Sequence, residues 1–276
     1  MVTKTLSFIG AVVVRKQKFL LCMLFGLFIT IVACEKQEET ESKPIQVKNE
    51  KKQEETYNKE EENQEKKSMN LMDKQLLLSA TLGDTETAMK LIKDGANINV
   101  SGDKGETPVM AATYHNHVET VKALIDAGAD IELQDKNKEN PFLYASKEGY
   151  VDIVKLTIDA GTNIREINRR GGTALIPAAE RGHVEVVKEL LDCTEIDVNY
   201  RNDLGWTALL EAIVLGNGSE NHKQIVQLLI DHGADVNMAD REGVTPLEHA
   251  EKRGFKEMAN MLRAAGANET IKQPTE

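Results

Sequence analysis

The sequence predicts an all-α solenoid, a stack of about six helix-turn-helix repeats joined by hairpin-like loops behind a charged, disordered tether. Three observations carry that expectation. The pairs Thr107-Pro108, Asn140-Pro141, Thr173-Ala174, Thr207-Ala208 and Thr245-Pro246 recur at spacings of 33, 33, 34 and 38 residues. Gly95-Ala96, Gly128-Ala129, Gly161-Thr162, Gly233-Ala234 and Gly266-Ala267 recur in phase with them. Between each opening and each ending lie two short apolar-periodic segments. A fixed period near 33 residues with paired short helices describes units that bury their apolar faces only against neighbouring copies.

Residues 1–33 read as a signal peptide. Arg15, Lys16 and Lys18 supply positive charge, Phe19 to Val32 is an almost unbroken apolar run, and the small Ala33 precedes Cys34. That order is the one a secretory signal needs. Ile31-Val32-Ala33-Cys34 also resembles the lipobox of bacterial lipoproteins. The resemblance implies that Cys34 is lipidated (a palmitate-type anchor) and that Cys22 leaves with the signal. An uncleaved anchor is the other reading, although the run is shorter than the ~20 residues that usually span a bilayer. Both readings expect the repeats outside the cytoplasm, on the outer face of a plasma membrane or in a periplasm.

Residues 35–70 are dense in Glu, Lys, Gln, Asn and Ser and carry few apolar residues. Such a segment cannot bury enough surface to offset its ordering entropy, so it is expected to be a flexible spacer. As a coil of about 35 residues its ends would lie ~30–35 Å apart.

The repeats are expected over residues 71–269, at about 71–101, 102–134, 135–167, 168–201, 202–239 and 240–269, with 270–276 as a tail. In the second, Thr107 is a competent N-cap and Pro108 sits where a missing N–H costs nothing. Ala111 and Ala112 let helices approach closely. Val118, Val121, Leu124 and Ile125 follow the spacing of one helix face, and Gly128 ends the second helix. The third repeat caps with Asn140 but places Lys138 where the turn elsewhere carries glycine, so a distorted turn is expected there. The fourth opens with Thr173 and ends at Asp192-Cys193-Thr194 without glycine. The fifth inserts Gly216 to His222 between its helices, which explains the spacing of 38. Its Asn217-Gly218-Ser219 formally matches a glycosylation acceptor. The first and last repeats are caps.

These residues resemble the ankyrin repeat, whose pattern carries Thr-Pro-Leu-His at the first helix and Gly-Ala-Asp after the second. Gly205 to Val214 and Asn140-Pro141-Phe142 look like a bacterial subgroup of that family. One departure is systematic: the motif histidine is replaced by Met110, Leu143, Ile176, Leu210 and Glu248. In the family that histidine ties loops and neighbouring repeats together, so a softer array is expected.

Composition narrows the function. With a formal net charge of −11 over 276 residues, the chain lacks the basic excess that phosphate binding needs, so nucleic acid is not expected as a partner. Of the three cysteines only Cys193 lies in the repeats, so no disulfide framework is available there. Motifs for a zinc protease, a phosphate loop or a paired-cysteine metal site are absent. Cys193 with His183 is the one candidate nucleophile pair, and no third group orients it. His117, His183 and His249 fall where turn or packing roles are expected. No enzyme, cofactor or metal is expected.

The resemblance implies protein binding through loop tips and the exposed edge of each first helix. That row comprises Lys104, Glu106, Tyr114 and His115, then Lys136, Asn137, Glu139, Lys147 and Glu148, then Arg169, Arg170, Glu180 and Arg181. It continues with Leu204, Trp206, Val214 and Leu215 and ends with Arg241, Glu242, Lys252 and Arg253. Tryptophan and arginine are enriched at binding hot spots. The expected site is therefore an apolar patch of Leu204, Trp206, Val214 and Leu215 rimmed by Arg169, Arg170 and Arg181, with Tyr114 and His115 farther along. In the other reading the 216–222 insertion folds back and buries part of that patch. The partner is expected to be a protein of the cell envelope or a secreted protein, with the chain itself a monomer serving as scaffold or accessory factor. An inhibitor or immunity-type role against a secreted enzyme is the alternative, and a hydrolase the distant one.

Overall fold

Every pair of helices but one starts where the sequence supplies a side-chain acceptor for orphaned amides. A computed structural model of the chain describes residues 70–268. The signal segment, Cys34, most of the tether and the tail lie outside those residues. Among the described residues there are twelve α-helices and no strand. They are α1 (Leu71–Leu82), α2 (Thr85–Lys93), α3 (Pro108–Tyr114), α4 (Val118–Asp126), α5 (Pro141–Glu148) and α6 (Val151–Asp159). The second half comprises α7 (Leu175–Arg181), α8 (Val184–Cys193), α9 (Ala208–Val214), α10 (Glu220–Asp231), α11 (Pro246–Lys252) and α12 (Lys256–Ala264). None is long and apolar enough to cross a membrane.

Odd-numbered helices from α3 onward are short, and α3, α7 and α9 are almost entirely buried, whereas α11, in the last repeat, buries only Pro246, Leu247 and Ala250. Thr107, Asn140, Thr207 and Thr245 cap α3, α5, α9 and α11, each accepting from the amide three residues on. Thr245 and Glu248 form a reciprocal capping box. Thr173 departs from the expected rule. Pro177 has no N–H, so the Thr173 carbonyl takes the Ile176 amide instead. That is the amide a capping hydroxyl would use. Ala174 occupies the cap position, and the buried Thr173 Oγ1 has no partner.

Even-numbered helices carry the buried stripe. Val121 and Leu124, Val154 and Thr157, Val187 and Leu190, Val226 and Leu229, Ala259 and Leu262 repeat the same two positions, all fully or nearly fully buried. Odd helices stack on odd and even on even, and one continuous core runs from Ala80 to Leu262. At the first repeat Leu71, Leu78 and Leu82 remain exposed.

The expected distortion at Lys138 is corrected, and the absent motif histidine proves to have a counterpart. Lys138 adopts φ 58°, the left-handed conformation that Gly105, Gly171, Gly205 and Gly243 adopt in the equivalent turns. Its amide donates to the Asp135 carbonyl as Gly171 donates to Asn168. The turn is therefore regular, and the lysine accepts the strain. The missing motif histidine is also replaced in two ways. Met110, Leu143, Ile176 and Leu210 fill the core at its position. A second set of histidines, at the start of the following helix, joins the repeats. His117 Nε2 lies 3.1 Å from the Thr81 carbonyl, His183 Nε2 3.0 Å from that of Lys147, and His222 Nε2 3.0 Å from that of Glu180. Each ring packs on a left-handed glycine of the preceding repeat, Gly83, Gly149 and Gly182, where a Cβ would sit within about 3.0 Å of the ring. His222 belongs to the insertion, which thus delivers the same contact by a longer route.

Candidate functional site

The turns before α5, α7, α9 and α11 share one device. Asp135, Asn168, Asn202 and Asp240 each accept, through Oδ1, the amides two and four residues on. This fixes the loop tips, and neighbouring tips are tied directly, Lys136 N to the Lys104 carbonyl and Asp203 N to that of Arg170. The residue nine positions after the start of each turn, Ala111, Tyr144, Pro177, Glu211 and His249, then faces back toward the tips. Asn202 Nδ2 donates to Glu211 Oε1 at 2.7 Å, and His249 pairs with Asp240 at 2.7 Å.

Between these tips and the inner edges of α3, α5, α7 and α9 runs a groove of about 590 Å³. Its first end is aromatic. Tyr114 and Tyr144 meet edge to face with ring centroids 4.7 Å apart, the Lys147 ammonium lies 4.6 Å over the Tyr144 ring, and the Tyr114 hydroxyl donates to Asp135 Oδ2. Burial and then that carboxylate push the Tyr114 phenol well above its ordinary value. The floor is acidic. Glu139 is 8% exposed and Glu211 3%, and the Oε2 atom of each has no hydrogen-bond partner. Lys147 reaches Glu139 Oε1 at 2.8 Å, yet burial still holds that carboxyl above the usual range. Glu211 is pushed up to about 7 by burial first and then by the neighbouring Glu180, against Asn202 and Arg170. The rim is basic, with Lys104, Arg169, Arg170 and Arg181 lining it. Arg181 pairs with Glu148 at 2.8 Å, whereas Arg170 only approaches Glu180 at 4.0 Å and keeps its side chain 73% exposed.

Of the sequence-predicted site residues, Tyr114, His115, Arg169, Arg170 and Arg181 line this groove together. Leu204, Trp206, Val214 and Leu215 do not. Leu204 and Leu215 are 52% and 48% exposed, and Trp206 and Val214 are half-buried. The insertion therefore leaves Leu215 open. Arg253 caps the end of α9 through the carbonyls of Val214 and Gly216, both at 2.8 Å. Sequence reasoning passed over Asp135, Tyr144, Asn202 and Glu211. Their signal was the nine-residue offset from each turn Asp or Asn, which is visible only once the turn is known to aim that acid or amide inward.

The thiol reading fails on geometry. His183 caps the start of α8 and Cys193 ends it, about 15 Å apart at 1.5 Å per residue. Cys193 is exposed, and a hydrogen bond to Glu189 raises its thiol. Among the described residues no three His, Cys, Asp or Glu side chains are grouped to hold a metal.

A stacked helical array with a rigid groove spanning four repeats defines a repeat-type binding module. Models of ankyrin repeats match residues 76–168, 142–219 and 214–263, and the chain belongs to the ankyrin-repeat family. The ankyrin repeat protein YahD of Escherichia coli is 57% identical over 79 residues, 29% of this chain and 39% of that protein. The match therefore spans well under half the length of that relative. An ankyrin repeat domain from Acinetobacter baumannii is 44% identical with a TM-score of 0.68, covering 70% of this chain and 98% of that one. The ankyrin repeat protein EF0377 is 37% identical with a TM-score of 0.67, covering 71% and 98%. Ankyrin repeats form a protein–protein interaction module, generally a non-catalytic scaffold.

Proposed function

We propose that this chain is a membrane-tethered, extracytoplasmic ankyrin module that holds another protein in the groove across α3, α5, α7 and α9 and performs no chemistry. The observation that carries the reading is the groove itself. It gathers two tyrosines and three arginines from successive repeats on backbone that capped helices and tied turns hold still. Aromatic and arginine side chains on a rigid support are what a protein partner needs for a hot spot. Attachment through a lipidated Cys34 and a 35–70 spacer would set the reach of that groove from the membrane. The partner is then an envelope or secreted protein.

Crosslinked pull-down from intact membranes tests this, comparing the native chain with Arg170→Glu/Arg181→Glu and with Leu204→Ala/Trp206→Ala. One stoichiometric partner lost only in the first variant supports the groove. Loss only in the second moves the site to the apolar residues around Trp206. A chain that captures nothing from membranes, or that fractionates away from them, defeats the reading. Cys34→Ala should release the protein from membranes without changing what it binds.

A further inference from the structure

The floor of the groove between α7 and α9 holds two carboxylates, Glu180 and Glu211, and the buried one has no ion-pair partner. Burial is the larger penalty on the Glu211 carboxylate, and the negative charge of Glu180 opposes it further. The nearby cation, Arg170, stands 4.0 Å from Glu180 with its side chain largely in water. Asn202 satisfies only Oε1 of Glu211, leaving Oε2 unpartnered in a side chain 97% removed from solvent. A buried carboxylate in that condition is costly unless something supplies a cation or a proton. Elsewhere in the same groove the chain supplies its own cation, Lys147 on Glu139. At α9 Arg170 acts on Glu211 only from a distance and no ion pair reaches it, and α11, packed on the other side of α9, directs His249 to Asp240 instead.

We propose, building on the groove as the partner site, that the Glu180–Glu211 floor anchors a lysine or arginine side chain of the partner whose flanking residues are acidic. The basic group enters beside Arg170 and meets the Glu211 carboxylate, whose terminal torsion is broad enough to turn Oε2 toward it. Acidic flanks then lie on Arg169, Arg181 and Lys104 at the rim. A segment with charge of one sign fits only half of this arrangement: a polybasic one is repelled at the rim, and a purely acidic one leaves the floor uncompensated. Charge complementarity of this layered kind selects a partner by rejection as much as by attraction.

The test is peptide display. Random dodecapeptides are selected on the full chain, and the enriched sequences are resynthesised with each basic residue replaced by norleucine. Affinities are measured by calorimetry against wild type, Glu211→Gln, and Arg169→Ala/Arg181→Ala. The expected result is enrichment of one lysine or arginine between acidic residues, with at least tenfold weaker binding when it becomes norleucine. Glu211→Gln should erase that tenfold preference, and Arg169→Ala/Arg181→Ala should weaken both peptides alike. Peptides without a basic residue that still depend on the rim arginines would overturn the anchor and leave the groove reading standing. Peptides indifferent to every groove variant, or no enrichment at all, would overturn both.

Discussion

Replacing Glu211 by glutamine keeps the shape of the groove floor and the hydrogen bond from Asn202, since a glutamine carbonyl accepts where Oε1 did. It removes only the charge. The folded carboxyl is held at about 7 by burial and then by Glu180, against an ordinary value of 4.5. Folding therefore takes up a proton between those two values. Stability contributed by the neutral form is complete below about pH 4.5 and declines as pH rises to about 7. An interval of about 2.5 pH units at ~1.4 kcal/mol per unit gives an upper bound of about 3.5 kcal/mol, and water at the groove mouth lowers it to about 2 kcal/mol. The Glu211→Gln variant should match wild type near pH 4 and exceed it by about 2 kcal/mol at pH 8. Urea titrations followed by far-ultraviolet circular dichroism at pH 4, 5, 6, 7 and 8 measure this, with equal slopes required before midpoints are compared. Glu139 also titrates upward, but it does so in both proteins and cancels in the difference. Parallel curves across the whole range would mean that Glu211 is solvated and ionised in the native state, and the charge-deficit argument would fall with it.

Four further single substitutions, one of them extended to a double variant, test the scaffold. Lys138→Gly should stabilise the protein by about 0.5–1 kcal/mol in the same urea assay, because the turn already demands a left-handed residue. Thr207→Val should cost about 1 kcal/mol through loss of the α9 cap, whereas Thr173→Val should be neutral or slightly stabilising, since its buried hydroxyl has no partner. Gly149→Ala should cost more than about 1 kcal/mol, from a φ of 82° and a Cβ placed 2.6 Å from the His183 ring. Adding His183→Ala should recover part of that loss, and a strictly additive double variant would refute the packing account.

The repeat period, the caps and the second-helix stripe were legible in the sequence because each depends on local rules. Thr107 caps whatever helix follows it, and Val121 with Leu124 reads as one face wherever the helix lies. Thr173 was misread because its role depends on Pro177 four residues later, which withdraws a donor and lets the carbonyl take the amide meant for the hydroxyl. Lys138 was misread because a favourable turn, locked by Asp135 and tied to Lys104, outweighs one residue's dislike of positive φ. His117 and His183 were expected in turn or packing roles, but their part in joining repeats was not legible because the resemblance directs attention to a motif position that this chain fills with Met110, Leu143, Ile176 and Leu210. His117 and His183 make the joint from the next helix instead. At the site, Arg169, Arg170 and Arg181 were identifiable as exposed arginines, but Glu211 reads as an ordinary helical glutamate until tertiary packing buries it.

The distribution of irregularity along the repeats bears on function. Where even helices pack, the chain repeats itself almost without variation: Val121, Val154, Val187 and Val226, then Leu124, Leu190, Leu229 and Leu262. On the inner face of the odd helices the same structural position holds alanine, tyrosine, proline, glutamate and histidine in turn. Packing alone does not demand that variety, and part of it is destabilising, since Glu211 leaves a buried oxygen without a partner, as Glu139 does in the turn before α5. A module selected only for a stable stack would place apolar residues there, as it does at Met110 and Leu210 one helical position away. Buried carboxylates with an unpartnered oxygen, as Glu139 and Glu211 are in the groove, are what a surface shaped by a particular partner should contain. The partner would complete the acidic floor that the chain itself leaves uncompensated.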